Sequence, residues 1–213
     1  MTKQQPDVRL TPRFTNALDY ARVQHAEQVR KGSGIPYLYH LLGVASLVLE
    51  HGGDEDQAIA GLLHDVIEDC GSRHEAVLRE LFGDRVTGIV LACTDGSKDS
   101  KEAAITPKAK YDDWLRRKRA YIAHLHLESD EALLVSCCDK LHNARAIVGD
   151  LEDPAVGITV FDRFTAKRDG TLRYYQSVSE IFTQRGTRAA RALDATVARM
   201  HALANVSARE ALV

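Results

Sequence analysis

No apolar run in the chain exceeds a few residues, far below the roughly 20 needed to span a bilayer, and Met1 to Leu10 is polar with no leader-like apolar core. Membrane insertion and secretion are therefore not expected, and the expected compartment is the cytoplasm. An excess of one charge is missing as well: 28 Lys and Arg face 30 Asp and Glu, a formal charge of −2. No global basic field gathers nucleic acid or anionic lipid, so any anion site has to be local. Cysteine is scarce, with Cys70, Cys93, Cys137 and Cys138 showing no CxxC spacing. Adjacent Cys137 and Cys138 suit neither an ordinary disulfide nor a zinc knuckle, which leaves reduced, buried thiols. Only five prolines occur, and alternating β-branched runs bounded by turn residues are nearly absent, so the chain reads as all-α. At 45% hydrophobic and 27% charged it is neither disordered nor fibrous. With no internal repeat or low-complexity linker, one domain spanning 1–213 is expected, a bundle of about ten helices.

Helical periodicity places the elements. Thr11-Pro12 has the form of a cap and first turn, and Phe14, Leu18, Ala21 and His25 recur at helical spacing toward Arg30. A second helix is expected from about Tyr39 to Glu50, and a third from about Glu55 to Asp69, stopped by Gly71. Ser72 and Glu75 resemble a capping box for Glu75 to Phe82, and Asp84 a cap for the helix carrying Val86, Ile89, Val90 and Cys93. Asp95 to Lys108 lacks apolar periodicity and is expected to be the main irregular loop. Helices then follow over Lys110 to His126 and Asp130 to Gly149, from Asp153-Pro154 to a break near Gly170, and over Thr187 to Asn205.

The chemistry sits on the third helix, Gly61-Leu62-Leu63-His64-Asp65-Val66-Ile67-Glu68-Asp69. At about 100° per residue, Glu68, Gly61, Asp65 and Asp69 fall within about 140° of His64, while Ile59, Leu62, Leu63, Val66 and Ile67 form the opposite, core-facing side. Three carboxylates and an imidazole on one face, with no Lys or Arg, repel one another unless a cation is present, and Gly61 leaves room beside them. Two other segments offer matching ligands inside apolar helical patterns: His40 before this helix and Asp139 after it, with Asn143 one turn on from Asp139. Two imidazoles and two carboxylates suit an octahedral divalent ion such as Mn²⁺, whereas structural Zn²⁺ would recruit cysteine. An open, hydrolytic metal site held by His40, His64, Asp65 and Asp139 is the expectation.

These residues resemble the H…HD…D signature of the HD-domain phosphohydrolases. Arg30-Lys31-Gly32, Pro36-Tyr37, His40, the segment Leu62 to Asp69, and Asp139-Lys140-Leu141-His142-Asn143-Ala144-Arg145 are similar, in order and spacing over about residues 14–150, to the hydrolase domain of the RelA/SpoT alarmone enzymes. The helices of 153–206 lie beyond that core. The length leaves no room for a synthetase domain, so a small alarmone hydrolase is expected. That family removes the 3′-pyrophosphate of guanosine 3′,5′-bis(diphosphate), (p)ppGpp, in a Mn²⁺-dependent reaction on an all-helical fold. The resemblance implies metal ligation by the four residues named, catalysis by Glu68 and Asp69, and nucleotide contacts from Arg30, Lys31 and Asn143. Leu41 stands where the family usually has proline.

Which acid activates water stays open. A developing pyrophosphate charge calls for cations, and the run Lys108, Lys110, Arg116, Arg117, Lys118 and Arg119 supplies them; Arg117 or Lys118 is expected to face the site. His25 and His142 read as supporting or packing residues, and His51, His74, His124, His126 and His201 as surface. Lys167, Arg168, Arg173, Tyr174 and Tyr175 form a basic and aromatic cluster able to close over a nucleotide, with helix packing and surface charge the expected role. The competing readings are an HD phosphohydrolase acting on another nucleotide, such as a 5′-nucleotidase or triphosphohydrolase, and a non-catalytic nucleotide-binding module.

Overall fold

The computed structural model describes residues 8–94 and 106–212. Thr11 caps α1 (Pro12–Gln24), its side chain accepting from the Arg13 N–H. The helix stops at His25, short of the expected Arg30, because the next segment folds back as a tight hairpin. There the Tyr37 N–H donates to Gln28 O (2.9 Å) and the Arg30 N–H to Ile35 O (2.8 Å), with Val29 and Pro36 forming an isolated antiparallel bridge. Gly32 and Gly34, at φ 87° and 68°, supply the left-handed turn.

Helix α2 (Leu38–Glu50) buries His40, Leu41, Val44, Ala45, Leu47 and Val48. Asp54 and Gln57 form a reciprocal capping box at the start of α3 (Glu55–Leu63). The helix expected to continue to Asp69 breaks at His64-Asp65, where Asp65 takes φ −95°, ψ −6°, and resumes as α4 (Val66–Cys70). The His64 Nδ1–H donates to Gly61 O at 2.9 Å. That carbonyl is the regular intrahelical acceptor for the Asp65 N–H, so the imidazole competes for it where the helix breaks. Gly61 also turns out to serve packing rather than open space, since a Cβ there would lie 3.2 Å from Ala45 Cα on α2.

Helix α5 (His74–Cys93) contains Gly83 at φ 88°, ψ 171°, which divides it into the two stretches expected on either side of that residue. Neither expected cap forms: the N-cap is Arg73, with no side-chain cap bond, and the Asp84 carboxylate is bonded to Arg79. Thr106 caps α6 (Pro107–Leu125), so Lys108 belongs to a helix rather than to the expected loop, whose residues 95–105 lie outside the described residues. Ser129 caps α7 (Asp130–Glu152). A 3-10 helix, Gly157–Arg163, then replaces the helix expected after Asp153-Pro154.

Helix α8 (Lys167–Gln184) runs through Gly170 instead of breaking there. A Cβ on Gly170 would sit 2.7 Å from Ala166 Cβ and 3.6 Å from the Trp114 ring, so that glycine permits close packing. Helix α9 (Ala190–Leu203) completes nine α-helices and one 3-10 helix among the described residues.

Every residue of α7 from Ala132 to Leu141 is buried, so this stretch of the helix is enclosed on all sides. It touches α2, α3 and α5 from the first half of the chain and α8, α9 and the 3-10 helix from the second. Leu133, Leu134 and Leu141 are almost fully enclosed, each contributing about 1.5–3 kcal/mol by burial. Asp139 is therefore carried by a segment that the core encloses on every side. All four cysteines are free thiols, with Cys93, Cys137 and Cys138 buried as expected and Cys70 only half-buried. Among the described residues no helix is long and apolar enough to cross a membrane.

Candidate active site

Helices α2, α7 and the α3–α4 break converge on one point. His40 Nε2 and His64 Nε2 lie 3.3 Å apart. Asp65 Oδ2 is 3.1 Å from the His64 nitrogen and 3.6 Å from that of His40, while Asp139 Oδ1 is 3.2 Å from His40 and 3.5 Å from His64. The donor atoms of His40, His64 and Asp65 all fall within 4.8 Å of one another. Asp139 stands slightly apart, its Oδ2 bonded to Lys140 Nζ at 2.5 Å and its Oδ1 accepting from Asn143 Nδ2 at 2.6 Å.

The ring tautomers follow from the outer contacts. A carbonyl only accepts, so His64 Nδ1 carries the hydrogen and its Nε2 presents a lone pair inward. His40 Nδ1 is 3.0 Å from His142 Nδ1. Burial, then His40 and Arg30, push the His142 imidazole down to about 4. The two Nδ1 atoms share one hydrogen, and a His40 ring that presents its Nε2 inward as a second lone pair carries that hydrogen on Nδ1 and donates it to His142. With both Nε2 atoms unprotonated, four acceptor atoms converge at separations close to the about 3 Å expected between adjacent ligands of one ion with bonds near 2.1 Å. The donor set fits a divalent cation. Without one, charge is shared among the ligands: burial lowers the His64 imidazole, but Asp65 and Asp139 more than reverse this and hold it well above the usual histidine value. Burial likewise raises the two carboxylates, and their cationic neighbours, led by His64 at Asp65 and Lys140 at Asp139, bring both well below the ordinary range.

A cleft of about 480 Å³ opens beside this cluster. Arg30, Lys31, Glu68, Asp69, Arg117, Lys118 and Asn143, the residues singled out from the sequence, all line it. Two lining residues reach the cluster directly: Tyr37 OH donates to Asp65 Oδ2 at 2.7 Å, and Asn143 to Asp139. Arg30 Nη2 donates to Asn143 Oδ1 at 2.6 Å, so the hairpin is tied to α7. Of the basic run, Lys108 pairs with Asp112 and Arg116 with Asp113; Arg117 also pairs with Asp113, at 2.9 Å, and it lines the cleft together with Lys118. Lys118 Nζ lies 4.8 Å from the centroid of the Tyr174 ring.

The cluster of residues 167–175 divides between cleft wall and surface, and sequence reasoning singles out neither of two further wall residues, Arg163 and Gln28. Tyr174 and Tyr175 are buried beside the cleft, while Lys167, Arg168 and Arg173 pair on the surface with Asp162, Asp169 and Glu210. Arg163 also lines the cleft, bonded to Asp150 at 2.5 Å, and no motif marked it. Gln28 bonds Asp69, and its only signal was its position between His25 and Arg30. His74 and His201, expected at the surface, are 5% and 3% exposed. The His74 side chain is drawn inward by the Tyr20 hydroxyl, 2.7 Å from its Nδ1, and His201 lies on the buried face of α9. His124 and His126 are exposed and His51 is half-buried.

The HD domain family model matches residues 17–172. Among curated proteins, the chain is similar to the probable guanosine-3′,5′-bis(diphosphate) 3′-pyrophosphohydrolase of Mycoplasma pneumoniae, 35% identical over 134 residues covering 63% of this chain and 18% of that protein. It is also similar to the guanosine-3′,5′-bis(diphosphate) 3′-pyrophosphohydrolase MESH1 of Drosophila melanogaster, 33% identical over 136 residues covering 62% of this chain and 68% of that one. The chain therefore spans under a fifth of the bacterial relative's length and about two thirds of the fly protein's. A solved structure, described as a metazoan ortholog of SpoT that hydrolyzes ppGpp and plays a role in starvation responses, aligns with a TM-score of 0.56 at 26% identity. That alignment covers 84% of this chain and 99% of its own.

Proposed function

The chain belongs to the HD domain family, and on that premise we propose that it is a Mn²⁺-dependent hydrolase that removes the 3′-pyrophosphate of guanosine 3′,5′-bis(diphosphate). Its products are then pyrophosphate with GDP from ppGpp or GTP from pppGpp, and it works in the cytoplasm on a small nucleotide without nucleic-acid or membrane partners. The observation that carries this reading is the junction of two sites: a four-donor cluster suited to a divalent ion, and a cationic and aromatic cleft whose Tyr37 and Asn143 hydrogen-bond the cluster's carboxylates. The relatives' names point to the same substrate.

His40, His64, Asp65 and Asp139 hold the ion. When bound it lowers the pKa of a water and draws charge from a phosphoryl oxygen. Glu68 and Asp69, one helical turn beyond Asp65, orient the attacking water and accept its proton. Arg30 and Lys31 bind the nucleoside end, with Asn143 contacting the nucleotide beside Asp139, which directs the 3′ side toward the cluster. Arg117 and Lys118 meet the negative charge that develops on the departing pyrophosphate. The test is a panel of ppGpp, pppGpp and nucleoside 5′-mono- and triphosphates with product identification. Intact pyrophosphate from the 3′ side is expected. Stepwise orthophosphate, or attack at the 5′ chain, would favour a 5′-nucleotidase instead.

A further inference from the structure

Beside the cleft acids, His25 and Gln28 have no role in the reading above. His25, 3% exposed at the end of α1, has Nδ1 2.7 Å from Gln28 Oε1, and Gln28 Nε2 donates to Asp69 Oδ2 at 2.8 Å. A carboxylate only accepts, so the Gln28 amide has one orientation, nitrogen on Asp69 and oxygen on His25, and His25 Nδ1 carries the hydrogen. Donation then runs one way, from imidazole to amide to carboxylate. The same imidazole stacks on the Tyr37 ring, centroids 5.3 Å and planes 25° apart, and the Tyr37 hydroxyl donates to Asp65 Oδ2. The backbone closes the circuit, since the Tyr37 N–H donates to Gln28 O at 2.9 Å. One imidazole therefore braces the residues that hold two different carboxylates.

We propose that His25, Gln28 and Tyr37 are positioning residues, a frame in which Gln28 aims the Asp69 carboxylate at the attacking water and Tyr37 aims the Asp65 carboxylate at the ion. The proposal rests on Asp65 being a ligand and Asp69 a catalytic acid. Its two arms are separable: a hydroxyl on a ligand acts on metal affinity, whereas an amide on a non-ligand acid acts on turnover. Gln28 and Tyr37 also bracket the hairpin that carries Arg30 and Lys31, so the segment that meets the nucleotide is the segment that sets the acids.

The experiment compares wild type, Tyr37→Phe and Gln28→Leu by calorimetric titration with Mn²⁺ and by steady-state hydrolysis of ppGpp. Tyr37→Phe is expected to weaken Mn²⁺ binding about 10-fold or more, and Gln28→Leu to leave it within about twofold of wild type. Gln28→Leu is expected to lower kcat about 10-fold at unchanged KM, and to cost nothing further in an Asp69→Asn background. Simple misfolding would add in that background. If Gln28→Leu does not fold, Gln28→Asn, which withdraws the amide by one methylene, takes its place with the same expectations. Additive losses, or wild-type Mn²⁺ affinity in Tyr37→Phe, would overturn the proposal. A wild type that binds Mn²⁺ but leaves ppGpp intact would contradict the substrate reading alone, with the calorimetric comparison still deciding the frame.

Discussion

Gly43→Ala sets two well-calibrated effects against each other. Gly43 lies inside α2, where Ala is the better helix former by about 0.5–1 kcal/mol. A Cβ there would fall 2.1 Å from His142 Nε2 and 2.2 Å from its Cδ2, far inside contact distance. The imidazole is a short, rigid group, held by His40 at 3.0 Å and packed edge-on against Tyr39 with centroids 5.2 Å apart. Relieving the clash means overpacking at about 1–3 kcal/mol, and displacing the ring forfeits a hydrogen bond of about 0.5–1.5 kcal/mol. The net expectation is destabilisation of roughly 1–3 kcal/mol, read from urea unfolding. His40 would lose the acceptor that orients it, so Mn²⁺ affinity should fall about 10–100-fold in calorimetry. Gly88→Ala and Gly149→Ala are the controls. Both are exposed, helical glycines whose added Cβ meets nothing within 4 Å, so each should gain about 0.5–1 kcal/mol. A Gly43→Ala protein as stabilised as the controls, with unchanged Mn²⁺ affinity, would refute the claim that His142 orients the ligand.

Glu68→Gln is expected to retain Mn²⁺ while kcat falls about 10²-fold or more, because Glu68 acts on water rather than on the ion; loss of the metal in that variant would make it a ligand. Charge reversal at Lys118 or Arg117 should raise KM for ppGpp more than it lowers kcat, and an effect confined to kcat would remove both from the substrate rim. His74 and His201 have imidazole pKa values lowered, foremost by burial, with Arg73 and His25 adding to the effect at His74 and Arg209 at His201. Below the ordinary value of 6.5 the unfolded chain takes up protons that the folded one refuses, so their contribution is intact above that pH and is lost as pH falls below it. Melting temperatures between pH 8 and pH 5 should decline more steeply for wild type than for a His74→Gln, His201→Gln double variant, and equal slopes would contradict the assignment.

The residues that carry chemistry were legible because their types are costly to place together: His64 beside Asp65, with His40 and Asp139 inside apolar helices, has no structural use without a cation. Asp139 and Asn143 share a helix face by spacing alone, and the structure keeps them hydrogen-bonded at 2.6 Å. Local backbone was less legible. The break at Asp65 coincides with the His64 imidazole taking the Gly61 carbonyl, a side-chain choice that periodicity does not encode. Gly170 has the composition of a stop, yet its neighbours Ala166 and Trp114 require a helix without a Cβ at that point. His201 offers no partner spacing, and its burial depends on how α9 docks against α7 and α8. Gln28 is chemically ordinary, and only the fold brings its amide to Asp69.

The central claim is that His40, His64, Asp65 and Asp139 hold an ion on which turnover of ppGpp depends. Its most direct test strips the protein of metal with a chelator, removes the chelator, and follows GDP release from ppGpp as Mn²⁺ is returned. The account predicts no turnover in the stripped protein and recovery that saturates at one ion per chain, with neither in His64→Ala or Asp139→Ala. GDP release that persists without metal, or that His64→Ala retains, would contradict it.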